Sequence, residues 1–237
     1  MKELFFDTID STNTYLKQHF EEYEDLTFVS ADLQTAGKGR SGRTWTASKG
    51  KNLTFSVLIK NEKVMEKFAS LSVLSAYSVL KVLKSYVIED LSIKWPNDVY
   101  VRDDKICGIL LEAISREKME ALILGIGINV NEEDFETGLL HEPTSMKKVL
   151  HEDIDIVSFN EKIYRRLNQT IEELKEGCDL YPEIEKYDYL KGKDVYCMIR
   201  NEKRKVTVIG IDADYSLKVL CDGKEISVSS DEITFHL

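Results

Sequence analysis

The segment Thr35-Ala36-Gly37-Lys38-Gly39-Arg40-Ser41-Gly42-Arg43-Thr44-Trp45 is the part of the chain that a packed core cannot account for. It places three glycines and three cations within nine positions, and residues 35–52 together hold five cations and no acid. Like charges repel each other, and glycine loses much backbone entropy when it is ordered, so folding alone does not favour this composition. An anionic ligand would remove the repulsion, and backbone N–H groups beside glycine can approach such a ligand closely. We therefore interpret residues 35–52, the glycine-basic loop, as an anion-binding loop, with a solvated surface loop as the alternative.

Apolar patterns on both sides of the glycine-basic loop predict an α+β protein. Residues 64–87 and 158–176 carry apolar side chains at helical spacing, and a shorter helix capped near Ser11 runs to Phe20. Short apolar or alternating runs predict strands at residues 4–9, 26–33, 53–60, 91–94, 99–101, 106–113 and 121–130. The alternation of helices and strands along the chain predicts one main domain over residues 1–188.

The pattern changes after residue 189. Short strands separated by polar turns are predicted at residues 195–200, 205–211, 217–221 and 225–228. Several short strands at regular spacing are typical of a small β-barrel. We therefore expect a small C-terminal β domain over residues 189–237.

Composition excludes several classes of protein. The chain has 237 residues and a net charge of -10, which argues against a nucleic-acid-binding protein with a broad basic face. No apolar run reaches the length of about 18 residues that a membrane span needs, and the N-terminus is no signal peptide. The four cysteines are widely spaced, which favours reduced thiols in the cytoplasm over disulfides or zinc. The positive charge is local, and this suits a small anionic ligand.

A second polar segment, Lys94-Trp95-Pro96-Asn97-Asp98, combines a cation, an aromatic ring, an amide and a carboxylate. Proline favours extended backbone in the residue before it, which leaves Asn97 and Asp98 at a turn. On this segment alone, an ordinary β-turn beneath a buried tryptophan is the favoured interpretation. Lys105 comes just before the strand predicted at residues 106–113, on which Gly108 leaves room for a ligand to lie against the sheet. Lys105 could hold a carboxylate or phosphate of that ligand, and a surface lysine of a hairpin is the alternative.

Two further segments allow a ligand or a purely structural role. Gly125-Ile126-Gly127-Ile128-Asn129 leaves two bare positions on a buried strand, which fits a pocket wall or close packing against a helix. Ser11-Thr12-Asn13 opens a helix, where hydroxyls usually serve as caps and free amides can also hold a polar ligand group. The sequence contains no nucleophile elbow, P-loop or kinase motif, and its four histidines have no metal-ligand spacing.

Together these segments resemble those of biotin protein ligases, which activate biotin with ATP and attach it to a lysine of a carrier protein. The resemblance rests on Ser11-Thr12-Asn13 and on residues 34–45, 94–98, 105–112 and 125–129, which follow the family's order. It implies a fold of the class II synthetase type, in which a mixed β-sheet carries helices on one face. It also implies that the C-terminal domain is an SH3-like barrel.

The resemblance implies a role for each matched residue. Biotin would be bound by Ser11, Thr12, Asn13, Gln34, Gly37, Lys38, Gly39, Arg40, Lys105, Gly108 and Gly127. ATP or the adenylate would be bound by Arg40, Arg43, Trp45, Lys94, Asn97, Asp98 and Asn129, and Asp98 would also hold Mg²⁺. Two residues would act in catalysis: Arg40 would restrain the reactive intermediate, and Lys105 would bind the carboxyl oxygen that becomes the acyl-phosphate.

The implied activity is that of an ATP-dependent ligase. It would form biotinyl-5′-AMP and pyrophosphate, and would then transfer biotin to a lysine of a biotin carboxyl carrier protein, that of acetyl-CoA carboxylase or of another biotin-dependent carboxylase. Attack of a carboxylate on a phosphate brings two anions together, so cations and a metal suit this reaction better than a protein nucleophile. The sequence is also compatible with a homodimer formed through a sheet edge.

Some members of this family carry an N-terminal DNA-binding domain. This chain begins a few residues before the first matched motif, so we expect no DNA binding and no repressor function. The lack of a long apolar run leads us to expect no membrane partner. Two features depart from the family pattern: Lys38 stands where the best-known members carry arginine, and Phe235-His236-Leu237 lacks an arginine that some members have there.

A lipoate or octanoate ligase or transferase of the same broad fold is the nearest alternative. A non-catalytic module that binds anions or nucleic acid through the glycine-basic loop is the alternative from another class.

Overall fold

A seven-stranded mixed sheet forms the centre of the computed structural model, which describes residues 2–135, 142–199 and 202–228. The strands lie in the order β1-β2-β3-β7-β6-β5-β4. Strands β1 and β2 run parallel, and the other neighbouring pairs of this sheet run antiparallel. The strand bounds are β1 Lys2–Ile9, β2 Thr27–Gln34, β3 Leu53–Ile59, β4 Leu91–Lys94, β5 Asp98–Val101, β6 Asp104–Ser115 and β7 Met119–Ile128. The predicted strands of the main domain are confirmed, with shifts of a few residues at their ends.

The helices of the described residues are α1 Thr12–His19, α2 Glu62–Met65, α3 Phe68–Lys84, α4 Met146–Leu150, α5 Ile156–Lys175 and α6 Tyr181–Ile184. The predicted helix at 64–87 is divided, because a turn separates α2 from α3. Helix α2 begins at the cap residue Asn61, whose side chain accepts a hydrogen bond from the Val64 amide. Helices α4 and α6 were not predicted from the sequence, since four or five residues are too few for a helical pattern to be recognised.

Both faces of the large sheet are covered by helix. The long helices α3 and α5 pack with one face, where Phe28 and Val57 point into the main core. Helix α1 packs on the opposite face, where Leu16 meets Val29 and Leu58 in a separate cluster. The expectation that helices occupy one face is therefore wrong for α1. The physical reason is that β2 and β3 carry apolar side chains on both faces, Phe28 and Val57 on one and Val29 and Leu58 on the other, so each face must be shielded from water.

A second, four-stranded antiparallel sheet contains the strands predicted near the C-terminus. These are β8 Asp194–Ile199, β9 Glu202–Ile211, β10 Leu217–Cys221 and β11 Lys224–Val228, in the order β11-β10-β9-β8. Arg200, at the end of one predicted strand, and Phe235-His236-Leu237 lie outside the described residues. The turn between β4 and β5 contacts the turn between β9 and β10, where the Trp95 indole Nε1 donates a hydrogen bond of 2.9 Å to the Tyr215 carbonyl oxygen.

None of the described helices is both long and apolar enough to cross a membrane.

Candidate active site

A bare patch at the centre of the large sheet forms the floor of the candidate site. Gly108 of β6 and Gly127 of β7 are direct cross-strand partners. The indole of Trp45, from the glycine-basic loop, lies against both: a Cβ at Gly127 would come within 2.4 Å of the ring, and one at Gly108 within 3.0 Å. Glycine is therefore required at Gly127 for Trp45 to reach the sheet. The Trp45 Nε1 is buried and has no hydrogen-bond acceptor among the described residues.

A cavity of about 510 Å³ opens above this floor. It brings together most of the residues predicted from the sequence, namely Ser11, Thr12, Asn13, Gln34, Lys38, Gly39, Arg40, Arg43, Trp45, Lys94, Asn97, Asp98, Lys105, Gly108 and Gly127. Two predicted residues stand outside its lining. Gly37 is buried behind it, where a Cβ would come within 2.4 Å of the Trp45 carbonyl oxygen, and Asn129 is buried with its Nδ2 donating to the Thr144 carbonyl oxygen.

One end of the cavity is a connected network of uncharged polar groups that ends on a carboxylate. The Gln34 Oε1 accepts a hydrogen bond of 2.8 Å from the backbone N–H of Thr12 and lies 3.1 Å from the Thr12 hydroxyl. The Thr12 hydroxyl also lies 2.7 Å from the Ser56 hydroxyl, which donates to the Asn13 Oδ1. The Asn13 Nδ2 then donates to the Glu112 Oε2 at 2.8 Å. Both hydrogen-bonding ends of the Asn13 amide are thus used within the protein.

Sequence reasoning missed Ser56 and Glu112 as members of this site. Ser56 lies on β3, whose residues are all buried. A hydroxyl within a buried strand needs a hydrogen-bond partner, and this is the feature of the sequence that could have indicated Ser56. Glu112 belongs to a quoted segment, but a carboxylate on a strand gives no indication of which side chain it meets. The partner of Glu112 lies 99 residues away in sequence, on α1, and only the folded sheet brings the two together.

The other end of the cavity is cationic. Lys105 Nζ lies 2.8 Å from Asp98 Oδ1, and both side chains are mostly buried. Lys94 is 5% exposed, and burial lowers the pKa of its ammonium to about 8, although Asp98 acts in the opposite direction. The exposed Arg43 and the half-buried Arg40 extend this cationic region along the loop. A ligand with negative charge at one end would therefore lie with that end here.

The glycine-basic loop is folded back on itself and tied to the sheet at its tip. Lys38 and Thr44 form an isolated antiparallel bridge, and Ser41 adopts a left-handed conformation with φ of 55°. Arg40 Nη1 donates a hydrogen bond of 3.1 Å to Asn97 Oδ1, and the Asn97 Nδ2 donates to the Ile109 carbonyl oxygen. The tip of the loop is thereby connected to the turn before β5.

A buried carboxylate holds the C-terminal end of the same loop. Glu132 is 3% exposed, and its Oε2 accepts hydrogen bonds from the Ser48 amide at 2.9 Å and from the Asn52 Nδ2 at 2.8 Å. Lys51 Nζ lies 3.6 Å from the other carboxylate oxygen. Burial acts to raise the pKa of Glu132, but these hydrogen bonds and the Lys51 charge outweigh it and lower the pKa. The loop end at Ser48 and Asn52 is therefore fixed independently of the tip.

The described residues contain no group of three or more His, Cys, Asp or Glu side chains that could hold a metal ion. Asp98 supplies one carboxylate at the cationic end of the cavity. Mg²⁺ commonly binds through one or two carboxylates together with substrate phosphates and water. The donor set therefore fits a magnesium ion that arrives with a phosphorylated ligand, and does not fit a metal held by protein groups alone.

Comparison with known proteins gives consistent matches. The sequence profile of the Biotin/lipoate A/B protein ligase family matches residues 5–129, which is more than half of the chain. The bifunctional ligase/repressor BirA of Bacillus spizizenii is 36% identical over 132 residues, or 54% of this chain and 41% of that protein. The chain therefore spans less than half the length of this relative. BirA of Escherichia coli strain K12 is 29% identical over 219 residues, or 91% of this chain and 68% of that protein.

A solved structure is similar along nearly the whole chain. It is a biotin protein ligase from Aquifex aeolicus in complex with biotin and ATP, with a TM-score of 0.89 and 26% sequence identity. The match covers 99% of this chain and 98% of the Aquifex chain. Both sheets and the cavity between the loop and the glycine floor therefore fall within the region of similarity.

Proposed function

The chain belongs to the biotin/lipoate A/B protein ligase family, and we propose that within it the protein is a biotin protein ligase. It would join biotin to ATP, giving biotinyl-5′-AMP and pyrophosphate, and would then transfer the biotinyl group to a lysine of a carrier protein. One observation carries this proposal: a single cavity has a polar network at one end and a cationic cluster at the other. Biotin has a polar ureido ring at one end and a carboxylate at the other, so it matches both ends of the cavity.

The glycine floor supports the same ligand. A fused bicyclic ring needs a flat apolar surface, and the Trp45 indole, which lies on the bare backbone of Gly108 and Gly127, presents one. The Trp45 ring is the aromatic group nearest to both glycines. We assign Trp45 to the boundary between the biotin and adenine parts of the site, and Asn97 and Asn129 to the surroundings of the nucleotide.

The proposed first step places a carboxylate next to the α-phosphate of ATP, and the two anions repel each other. Lys105 is positioned to bind the carboxylate oxygen of biotin, since its ammonium lies beside Gly108 and faces the Trp45 ring at 5.8 Å. Arg43 and Lys94 supply positive charge for the phosphates. Catalysis would consist mainly of positioning and of neutralising charge, so the chain needs no nucleophile of its own.

Magnesium would enter with ATP and be held by Asp98 together with the phosphates. Bound there, it would lower the negative charge that the biotin carboxylate approaches. Lys105, which pairs with Asp98 in this structure, would offer its ammonium to the biotin carboxylate.

The second step requires that a carrier lysine reach the intermediate before water does. The Arg40 contact with Asn97 supports a closed position of the glycine-basic loop above the cavity. We propose that this closure retains the adenylate and slows its hydrolysis. Release of AMP, a good leaving group, would then follow attack by the neutral amine of the carrier lysine.

A free sheet edge is available for the carrier. Strand β5 pairs with β6 only as far as Gly108, so residues 110–115 of β6 pair with β7 on one side and with no described strand on the other. We propose that a biotin carboxyl carrier protein, that of acetyl-CoA carboxylase or another biotin-dependent carboxylase, docks at this edge, which begins next to the cavity. The same edge could join two copies of the chain in a homodimer.

We also propose that residues 1–188 form the catalytic domain and that residues 189–237 form a small barrel of the SH3 type. The contact between Trp95 and Tyr215 supports a role for the small domain in fixing the turn that carries Asn97 and Asp98. Free thiols at Cys107, Cys178, Cys197 and Cys221 support a cytoplasmic location.

A lipoate or octanoate ligase is the alternative within the family. Their dithiolane ring or alkyl end has no N–H or C=O group for the Thr12 and Gln34 end of the cavity, so those buried polar groups would lose their partners. ATP–pyrophosphate exchange with biotin, lipoate and octanoate separates the candidates. Exchange that depends on biotin is expected, and exchange with lipoate or octanoate alone would overturn the assignment.

A further inference from the structure

We propose that Glu112 sets the direction of the hydrogen-bond relay that leads through Asn13 and Ser56 to Thr12, and thereby makes the Thr12 hydroxyl an acceptor for a ligand N–H. Glu112 would be a positioning residue that determines specificity for a ring with N–H donors, such as a cyclic urea. This inference rests on the proposed function and assigns part of its substrate selectivity to a side chain that does not itself line the cavity.

The carboxylate fixes the orientation of the Asn13 amide. An ionised carboxylate can only accept hydrogen bonds, and the Asn13 nitrogen, not its oxygen, faces Glu112 at 2.8 Å. Lys17 Nζ lies 3.3 Å from the other carboxylate oxygen. Burial acts to raise the pKa of Glu112, but the hydrogen bond from Asn13 and the Lys17 charge outweigh it and lower the pKa. Glu112 therefore stays ionised at neutral pH and excludes the flipped amide.

The orientation of Asn13 then fixes both hydroxyl protons. The Asn13 oxygen faces Ser56 at 2.5 Å, so the single Ser56 proton is donated to it. The Ser56 oxygen, which lies 2.7 Å from the Thr12 hydroxyl, can then only accept, and Thr12 donates to it. Gln34 competes weakly for the Thr12 proton at 3.1 Å, because its oxygen already accepts the Thr12 amide at 2.8 Å. The lone pairs of the Thr12 hydroxyl are therefore the groups that remain for a ligand.

Gln34 completes the pattern that a cyclic urea requires. Its oxygen is turned to the Thr12 amide, so its Nε2 is the end that remains to donate. A urea ring presents an N–H donor beside a C=O acceptor, and the Thr12 oxygen and the Gln34 nitrogen form the opposite pair. Reversal of the relay would turn the Thr12 proton toward the ligand, where it would meet a ligand N–H.

A glycine on β7 makes room for the relay. A Cβ at Gly125 would lie 2.2 Å from the Asn13 oxygen and 2.9 Å from its Cγ, so no side chain is accommodated there without moving Asn13. Gly125 pairs with Ser56 across β3 and β7, which places the bare position directly beside the relay. The fold therefore provides the relay with a dedicated space, separate from the glycine floor at Gly108 and Gly127.

The test compares three ligands on five proteins by titration calorimetry without ATP. The ligands are biotin and biotin methylated at a ureido nitrogen, which loses one N–H, with each of the two nitrogens methylated in turn. The proteins are the wild type, Glu112→Gln, Ser56→Ala, the double variant of these two changes, and the control Glu120→Gln, which changes a carboxylate on β7 that pairs with Arg116 outside the relay. Unfolding temperatures verify that each variant is folded.

A glutamine at position 112 can donate as well as accept, so it permits both relay directions. We expect Glu112→Gln to bind biotin about tenfold more weakly, and to bind one of the methylated biotins with almost unchanged affinity. The ratio of the affinity for biotin to the affinity for that methylated biotin should therefore fall about tenfold. Ser56→Ala interrupts the relay and should lower the same ratio, and the double variant should lower it no further. Glu120→Gln should leave the ratio at the wild-type value.

Equal weakening of biotin and of both methylated biotins by Glu112→Gln would show a merely structural effect and would overturn the relay. Additive effects of Glu112→Gln and Ser56→Ala would also overturn it. A wild-type protein that does not bind biotin at all contradicts the proposed function itself, so the two failures are distinguishable.

Discussion

Arg40 donates a hydrogen bond of 3.1 Å from its Nη1 to the side-chain oxygen of Asn97, and this contact joins the tip of the glycine-basic loop to the turn that carries Asp98. The two residues are 57 positions apart in sequence. Two hydrogen bonds hold Asn97 to the backbone of Ile109. The Asn97 Nδ2 donates to the Ile109 carbonyl oxygen, and the Ile109 amide donates to the backbone carbonyl oxygen of Asn97. The loop is thus tied to a rigid part of the sheet, at the place where the phosphate of the proposed adenylate would lie.

Replacement of Arg40 by alanine should let the proposed intermediate escape. A hydrogen bond to a charged group contributes about 1.5–3 kcal/mol, so we expect biotinyl-5′-AMP to dissociate about 10–100 times faster. Rapid gel filtration of the enzyme loaded with labelled intermediate measures this rate, and biotin attached to a bystander protein reports the escaped adenylate. Arg102→Ala, which removes an exposed arginine paired with Asp90, is the matched control. Retention as long as in the wild type would show that the loop does not hold the intermediate.

Replacement of Lys105 by alanine should slow the first chemical step. The ammonium lies 2.8 Å from Asp98 at the cationic end of the cavity, and its loss removes charge stabilisation where the carboxylate and phosphate meet. Removal of one preorganised donor of this kind commonly reduces kcat by about 10²–10³. Biotin-dependent ATP–pyrophosphate exchange measures the effect, with the exposed Lys118→Ala as control. Normal exchange in Lys105→Ala would contradict the assigned role.

Alanine at the two floor glycines should have graded effects. At Gly127 a Cβ would come within 2.4–2.7 Å of three Trp45 ring atoms, whereas at Gly108 the nearest atoms are the Trp45 edge at 3.0 Å and the mobile Lys105 ammonium at 3.1 Å. We expect Gly127→Ala to weaken biotin binding more strongly than Gly108→Ala, because only the first displaces the whole indole. Equal losses, or a larger loss for Gly108→Ala, would mean that Trp45 does not rest on this floor in solution.

The stability of the protein should depend on pH through Lys94. Burial lowers its pKa to about 8 in the folded protein, against an ordinary value of 10.5. Between these values the folded state has released a proton that the unfolded state keeps, so the free energy of unfolding rises with pH. Urea unfolding at pH 7 and pH 9.5 should show a rise that is about 2 kcal/mol larger in the wild type than in Lys94→Met. Equal changes in the two proteins would mean that the Lys94 ammonium keeps an ordinary pKa.

Local patterns in the sequence were sufficient for most elements and for the members of the cavity. The glycines at 108 and 127 were recognisable as bare positions, but their direct pairing follows from the register of β6 and β7. That register depends on long-range strand pairing, which no local pattern encodes. The same limit explains why the position of α1 on the second face was not predicted. The pattern of α1 shows that the helix has an apolar side, but not which strands that side contacts.

The hydrogen-bond relay from Glu112 to Thr12 is the clearest case in which local sequence patterns do not predict a contact. Thr12 and Asn13 could be assigned to the site, but Ser56 and Glu112 became members of it only through contacts 44 and 99 residues away along the chain. Serine on a strand and glutamate near a strand end are common, so neither residue type predicts such contacts. The direction of the hydrogen bonds needs the distances between the four side chains, and these are available only in the folded protein.

Mass spectrometry of a biotin carboxyl carrier domain, after incubation with this protein, biotin, ATP and Mg²⁺, tests the central claim most directly. We expect the mass of the carrier to increase by that of one biotinyl group, with the modification on a single lysine, and no increase when ATP is left out. A carrier whose mass is unchanged with biotin, while lipoate or octanoate is attached under the same conditions, would contradict the account.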